Sequence, residues 1–452
     1  MMRLSEAAAM AGGVLHGADR EFSAVGTDSR KTQPGDLFVA LQGPRFDGNE
    51  YAMAAKTAGA VAAVVSKPVA DMPYILVDDA RAALGRLAAA WRRRLALKVV
   101  GVTGSNGKTT VKEMIAAILG GAGSTWATQG NLNNDIGVPL TLLSLRSEHR
   151  YAVVEMGANH PGEIAYVAGL AQPDVAVLNN AGAAHLEGFG SLEGVARAKG
   201  EIVTSLASQG IAVLNADDVY WPLWRDLAGG RQVIAFGSAA DAQVRLLPAT
   251  FSGGFYDGAY ASGFVLQWDG HDWPMQLALP GLHNAYNAAA AAAAALAVGL
   301  DMRQVQAGLR NMRPVSGRMQ PLRCREALVL NDTYNANPAS FAAGLEVLAA
   351  APGERWVVLG GFGELGESGA QLHADLGRQA KGHGVTRLFA TGPLADRAVE
   401  TFGAGAVYFD KQEDLIRVVQ ESLHKDVVML VKGSRSQRME RVVEALCGAK
   451  AA

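Results

Sequence analysis

The residues best suited to chemistry in this chain are gathered in Gly101-Val-Thr-Gly-Ser-Asn-Gly-Lys-Thr-Thr110. An apolar run, Leu95 to Val100, precedes them, and Val111-Lys-Glu-Met-Ile-Ala-Ala-Ile-Leu119 follows with helical spacing. A strand, a glycine-rich turn and a helix start make a phosphate cradle, because unpaired helix N-terminal N–H groups and the macrodipole both favour anions. Lys108 is then expected to reach the β/γ-phosphates of a nucleotide, and the Thr109 hydroxyl to sit on Mg²⁺. The spacing departs from the general phosphate-loop rule, since Val102 stands six residues before the lysine and the glycines fall at 101, 104 and 107.

Further polar groups sit where strands are expected to end. Glu155 closes Ala152-Val-Val-Glu155, His185 follows Val175-Ala-Val-Leu178, and Asn215-Ala-Asp-Asp218 follows Ala212-Val-Leu. A carboxylate and an imidazole at adjacent strand ends would complete a divalent-metal site begun by the phosphate loop. Taken alone, a loop histidine such as His185 is more often a hydrogen-bonded surface residue than a metal ligand, and Lys199 reads as an exposed helical lysine. Asn131-Leu-Asn-Asn-Asp-Ile-Gly137 either presents amide donors to an anion or caps the helix that follows.

These groups need a scaffold. Strand-like runs alternating with helical stretches predict an α/β chain whose centre is a doubly wound parallel sheet of phosphate-loop type, binding ligands beyond the strands' carboxyl ends. Residues 1–80 read as a small α/β domain, with buried strands at Asp36–Leu41, Ala60–Val65 and Tyr74–Val77 and a helix capped by Ser5. Asp79 to Leu95 reads as a helix whose Arg92–Arg94 run is a solvated face. The central domain runs over 81–313, with a β-rich insertion at Leu247–Leu279 and an alanine-rich helix after Gly281. Arg313-Pro-Val-Ser-Gly317 is the expected hinge to a third, Rossmann-like α/β domain, 314–452. Its loop Gly360-Gly-Phe-Gly363 lacks an acidic residue at the distance a dinucleotide site needs.

A chain of 452 residues with 49% hydrophobic and 19% charged side chains is an ordinary multi-domain globular composition. A net charge of −2 predicts no nucleic-acid or anionic-membrane partner. Cys324 and Cys447 are the only cysteines, too few for a disulfide framework or a thiolate zinc site. No signal peptide and no integral membrane segment are expected, and Gly281–Leu300, with His283, Asn284 and Asn287, reads as a buried helix. A cytoplasmic monomer follows as the expectation.

The motifs Thr103-Gly-Ser-Asn-Gly-Lys-Thr-Thr-Val-Lys-Glu-Met114, Asn131-Leu-Asn-Asn-Asp-Ile-Gly-Val-Pro139, Glu155-Met-Gly-Ala-Asn-His-Pro-Gly-Glu-Ile164, His185-Leu-Glu-Gly-Phe-Gly190, Ala198-Lys-Gly-Glu201, Tyr334-Asn-Ala-Asn-Pro338 and Lys432-Gly-Ser-Arg435 come in an order that resembles the Mur ligase family. The resemblance covers nearly the whole chain. It is closest to the branch that uses ATP to join D-alanyl-D-alanine to UDP-N-acetylmuramoyl-tripeptide through an acyl phosphate.

The resemblance implies that Gly104, Ser105, Asn106, Gly107, Lys108, Thr109 and Thr110 bind the ATP phosphates, with Asn284, Asn287, Arg318 and Asp332 on the nucleotide. Lys108, Glu155, His185 and Lys199 are the implied catalytic groups. Thr109 and Glu155 would hold one Mg²⁺, and His185 with a carbamylated Lys199 a second. Ser29, Arg30, Phe46, Asp47 and Gly48 match the uridine-nucleotide end. Asn131, Asn134, Tyr334, Asn335, Asn337, Lys432, Ser434 and Arg435 match the remaining substrate contacts. One departure is Gly361, where the family usually carries an aspartate. Folylpolyglutamate synthases share this chemistry, but their loop usually lacks the second threonine. A non-catalytic ATP switch would not need Lys108, Glu155, His185 and Lys199 together.

Overall fold

The computed structural model describes residues 1–182, 186–256 and 259–448. Its centre is a nine-stranded sheet in the order Thr125–Ala127, Tyr151–Glu155, Lys98–Thr103, Val175–Leu178, Ile211–Asn215, Gln232–Gly237, Val244–Tyr256, Ala259–Trp268, His271–Leu277. Neighbours are parallel as far as Val244–Tyr256, and the last three strands form an antiparallel ribbon. The sequence reading set these residues aside as an insertion; in the structure they extend the central sheet. Lys98–Thr103 has Tyr151–Glu155 on one side and Val175–Leu178 on the other, so chain direction across the sheet reverses there. Such a switch point leaves a crevice at the strands' carboxyl ends. The phosphate loop starts in it.

The strands are Val-rich runs buried on both faces, as covered parallel strands must be. The helix Lys108–Gly120 packs against the alanine-rich helix Leu282–Ala297, whose residues 288–295 are all fully buried. Alanine permits this close approach at no cost in helix propensity. The helix Met302–Asn311 leans on the same phosphate-loop helix through Gly308, where a Cβ would lie 2.4 Å from Ile118 Cα.

A five-stranded N-terminal sheet runs Val14–His16, Tyr74–Leu76, Ala62–Val65, Asp36–Val39, Ala24–Gly26. Its leading helix spans Leu4–Ala11, with Arg3 at the N-cap. Ser5 therefore does not cap it; its N–H and hydroxyl both donate to Asp19. The helix Ala80–Arg93 is capped by Asp79, which accepts from Arg81 N and Ala82 N. It shares one apolar core with the central sheet, and Trp91 Nε1 donates to Leu145 O at 3.0 Å. Arg92 is not on a solvated face. It is 9% exposed, and its guanidinium donates to Ala171 O and Leu95 O.

The C-terminal sheet has six strands, ordered Gln320–Cys324, Ala327–Asp332, Val427–Lys432, Glu354–Gly360, Arg387–Thr391, Ala406–Phe409. All but the first hairpin pair are parallel. A disulfide joins Cys324 on the edge strand to Cys447 at the end of the helix Glu440–Cys447, a pairing the cysteine count did not suggest. Among the described residues, no helix is long and apolar enough to cross a membrane.

The Gly308 contact has a measurable consequence. Gly308→Ala forces a methyl group against the backbone of the phosphate-loop helix, and should cost roughly 1–3 kcal/mol. A lowered thermal midpoint relative to the parent protein is the expected reading.

Candidate functional site

A cavity of about 590 Å³ lies at the switch point, walled by the central and C-terminal sheets. The phosphate loop forms its floor. Gly107 takes φ +79° at the N-cap of the helix Lys108–Gly120, and a Cβ there would lie 2.5 Å from Asn287 Oδ1 and 2.6 Å from Asn179 Nδ2. Only glycine fits this left-handed, crowded position. Asn106 is clasped by two asparagines at the end of Val175–Leu178: its N–H donates to Asn180 Oδ1 at 2.8 Å, and its carbonyl accepts from Asn179 Nδ2 and Asn180 Nδ2. Asn179 Nδ2 also donates to Asn287 Oδ1, and Asn287 Nδ2 to Asn284 Oδ1. A chain of neutral amides thus ties the loop to the alanine-rich helix. Asn179 and Asn180 were not singled out from the sequence; a polar pair directly after a predicted strand at the sheet centre was the available signal.

Cations gather above this floor. Lys108 Nζ donates to Gly104 O at 2.8 Å and Ser105 O at 3.3 Å, and burial lowers its pKa, aided by Arg318 and opposed by Glu155. Lys199, expected to be exposed from pattern alone, is 2% exposed and lines the cavity. Burial, then the nearby Lys108, brings its pKa down to about 7. Arg318 stacks 3.9 Å from the Tyr334 ring centroid, and its Nη2 donates to Thr109 Oγ1 at 2.9 Å. Asn337 caps the helix Pro338–Ala350 through Ser340 N and reaches Asn106 Oδ1 at 2.7 Å. The third domain therefore touches the phosphate loop directly at two points.

Glu155 is 2% exposed; its Oε1 accepts from Asn133 Nδ2 at 2.8 Å, while Oε2 is buried with no hydrogen-bond partner among the described residues. An orphaned carboxylate oxygen in a cavity that Thr109 also lines suits a hard cation such as Mg²⁺, which keeps waters and phosphate oxygens as its other ligands. No group of three His, Cys, Asp or Glu side chains able to hold a metal occurs among the described residues. His185 lies outside those residues. His283, on the cavity wall, is kept neutral by burial, with its pKa lowered to about 4.

The other expected contacts divide. Asn131, Asn134, Tyr334, Asn335 and Arg435 line the cavity, as do Ser105, Thr110, Asn284 and Asn287. Asn134 Oδ1 also accepts at 2.9 Å from the N–H of Gly137, the first residue of the helix Gly137–Leu143, whose N-cap is Ile136. Asp332 lines the cavity and accepts from Met319 N, but its other oxygen is bonded to Lys432 Nζ. Lys432 is 1% exposed and also donates to Asn335 O, so it braces the wall and is not presented as a free cation. Ser434 is not in the lining; its hydroxyl accepts from Gly363 N at 2.8 Å and pins the Gly360–Gly366 loop. At Gly361 a Cβ would lie 2.4 Å from Pro393 O, so this chain has no room there for the acidic side chain the resemblance led one to expect.

The uridine-end residues are elsewhere. Asp28 lines a second cavity of about 310 Å³ with Lys31, Thr32, Trp126 and Gln129. Ser29 and Arg30 are outside its lining, and Arg30, 86% exposed, pairs with Asp28 at 2.9 Å. Phe46 is exposed, Asp47 pairs with Lys67, and Gly48 packs against the Leu41 carbonyl; none of the three lines either cavity.

Three family models match in order: "Mur ligase family, catalytic domain" over residues 21–92, "Mur ligase middle domain" over 102–295 and "Mur ligase, glutamate ligase domain" over 317–435. The chain belongs to the Mur ligase family. This Mur ligase is 45% identical to the UDP-N-acetylmuramoyl-tripeptide–D-alanyl-D-alanine ligase of Escherichia coli, over 98% of each chain. It is 34% identical to the Bacillus subtilis enzyme of that name, covering 96% and 93% of the two chains. Among solved structures it matches MurF from Acinetobacter baumannii at 36% identity and a TM-score of 0.88, over 98% of both chains. It also matches MurF from Thermotoga maritima in complex with ADP at 30% identity and a TM-score of 0.82, over 94% and 96%.

The buried Lys432–Asp332 pair generates a prediction. Lys432→Met leaves a carboxylate buried without its cation, and should cost about 3–5 kcal/mol. Adding Asp332→Asn to the same chain should recover most of that loss, as read from chemical denaturation of the three variants.

Proposed function

We propose that this Mur ligase is an ATP-dependent amide ligase that joins D-alanyl-D-alanine to UDP-N-acetylmuramoyl-tripeptide, as a cytoplasmic monomer in peptidoglycan precursor synthesis. The observation that carries the reading is that Lys108, Lys199 and Arg318 line one cavity with the orphaned Glu155 oxygen. It sits in a chain that aligns end to end with a ligase of this name. Residues 1–80 are assigned to the UDP end, 81–313 to ATP, and 314–452 to closure over ATP and acceptor. The Asp28 cavity shares the Gln129–Asn134 segment with the main cleft, since Gln129 and Leu132 line one and Asn131, Asn133 and Asn134 the other. A substrate with its uridine end there would extend its peptide toward the phosphate loop.

A carboxylate is a poor electrophile. The tripeptide's terminal carboxylate oxygen attacks the γ-phosphorus, the bond to the ADP oxygen breaks, and an acyl phosphate results. The D-alanyl-D-alanine amine attacks the acyl carbon and loses a proton; the tetrahedral adduct then expels phosphate and leaves the amide. Lys108 and Arg318 face the charge that spreads over the transferring phosphoryl oxygens, where preorganised cations supply most of the catalysis. Mg²⁺, held by Thr109 and Glu155, would add Lewis-acid neutralisation of that charge. The Arg318 and Asn337 contacts bring the third domain over the loop and keep water from the acyl phosphate.

A second Mg²⁺ would be held by His185 and a carbamylated Lys199. Lys199 suits carbamylation because its neutral amine, not its ammonium, adds to CO₂, forming a carbamate and releasing a proton. An amine with a pKa near 7 is largely neutral at pH 8 and largely protonated at pH 6.

Phosphate release from ATP should require both UDP-N-acetylmuramoyl-tripeptide and D-alanyl-D-alanine; release with a folate and glutamate, or with neither substrate, rejects the reading. Lys108→Ala should lower turnover by about 10²–10³-fold, as measured by the same release. In ¹³C-bicarbonate, a carbamate resonance is expected at pH 8, lost on acidification to pH 6 and missing in Lys199→Arg.

A further inference from the structure

We propose that Lys112 is a positioning residue for the metal–nucleotide end of the cleft, holding Glu155 in place from behind through Thr128. The inference rests on the reading above, in which Glu155 faces a metal-bound nucleotide.

Lys112 lies one turn beyond Lys108 on the same helix but points away from solvent, with a side chain 1% exposed. Its Nζ donates to Thr128 O at 2.6 Å and pairs with Glu113 Oε1 at 2.6 Å. An ammonium in the interior carries a desolvation cost that a leucine or methionine of similar size would not. What distinguishes the lysine is the carbonyl it bonds. Thr128 directly follows the edge strand Thr125–Ala127 and is fully buried. Its N–H donates to Val153 O at 3.0 Å, and its hydroxyl accepts from Glu155 N at 2.9 Å. One residue thus receives the ammonium on its carbonyl and fixes the main chain of Glu155 with its hydroxyl.

Beyond Thr128 the chain turns through Gln129–Asn134 and returns to the same carboxylate. Asn133 Nδ2 donates to Glu155 Oε1 at 2.8 Å, and Asn133 O accepts from Gly157 N at 2.8 Å. Glu155 is therefore held by its main chain and by one carboxylate oxygen, both from the segment that Lys112 anchors at its start. Its second oxygen keeps its aim only while that segment is fixed. Removing the ammonium leaves the Thr128 carbonyl buried and unbonded, and the segment relaxes toward any other donor. Partners that orient a metal ligand typically carry 10–100-fold in metal affinity.

The test measures Mn²⁺ binding to the full-length protein in the presence of ADP by calorimetry. Lys112→Met and Thr128→Val should each weaken Mn²⁺ about tenfold. Thr128→Ser, which keeps the hydroxyl, should return wild-type affinity. Metal-free ADP binding and the KM for D-alanyl-D-alanine should stay unchanged. Mn²⁺ affinity unchanged in folded variants overturns the inference, and so does a parallel loss of metal-free ADP affinity, which marks general damage to the phosphate loop. Thr128→Val leaves the Lys112 contact intact and tests only the Thr128 link. If Lys112→Met does not fold, Lys112→Gln, whose shorter side chain cannot keep the same bond to Thr128 O, replaces it with the same expected loss and the same overturning result. Wild-type protein that binds Mn²⁺ and ADP yet releases no phosphate with both substrates would reject the functional reading while leaving this one standing.

Discussion

Positive charge gathered out of water and only partly matched by negative charge is the constraint around which this molecule is arranged. Lys108 is disfavoured as an ammonium by burial and by Arg318, and Lys199 by burial and by Lys108. The carboxylates nearby relieve only part of this: Glu155 favours the Lys108 ammonium, and Glu163 and Glu201 that of Lys199, yet burial prevails at both. Asp332 is already matched by Lys432, and Glu155 offers one oxygen to an asparagine and one to the cleft. Each cation raises the cost of the next, because the desolvated interior weakens screening. A polyphosphate removes that cost for all of them at once, so the site is built to favour a highly charged anion over a neutral ligand of the same shape.

That constraint also explains why two domains must meet here. A cation cluster confined to the central sheet would be open to water on one side and correspondingly weak. Arg318 and Asn337 arrive from beyond the Arg313–Gly317 segment and bond to Thr109 and Asn106, residues of the loop itself. The contact between the domains and a phosphate bound at the loop would therefore draw on the same atoms. The Thr109 hydroxyl held by Arg318 is the group expected to face a metal when nucleotide is present. The guanidinium has an alternative partner at hand in the phosphates, and the stacking on Tyr334 keeps it in position for the exchange.

Local chemistry was legible in the sequence, and tertiary commitments were not. The phosphate loop could be read because strand, glycines, lysine and helix are contiguous, whereas Ser5, read as a cap, bonds Asp19 from fourteen residues on. The three-sheet α/β architecture followed from alternation of strand and helix patterns. By contrast, the burial of Lys199 and Arg92 depends on which helix face meets the sheet, which a single helical pattern with few charges does not specify. Lys432 and Ser434 stand at a strand end in the expected motif, yet their partners, Asp332 and Gly363, are about a hundred and about seventy residues away in the chain. The Cys324–Cys447 bond spans 123 residues and has no local signal at all. Leu247–Leu279 reads as β-rich and is so in the structure, but alternation reveals a strand and not which sheet edge accepts it.

The choice of asparagine around the phosphate loop follows from the same electrostatics. Asn179, Asn180, Asn284 and Asn287 order the loop through side-chain amides that donate or accept as each place requires, and Asn106 is held through its main chain. Aspartates in those places would accept as well, but each would neutralise a neighbouring ammonium and spoil the field a nucleotide must feel. Lysines would add to an already costly cluster. Neutral amides fix the geometry and leave the net charge of the cleft to the cations and carboxylates that line it. The geometry they fix is tight enough that Gly107 admits no side chain between Asn179 and Asn287. Rigidity in this loop is thus supplied without charge, and charge is supplied by side chains that the loop and its neighbours hold at its rim.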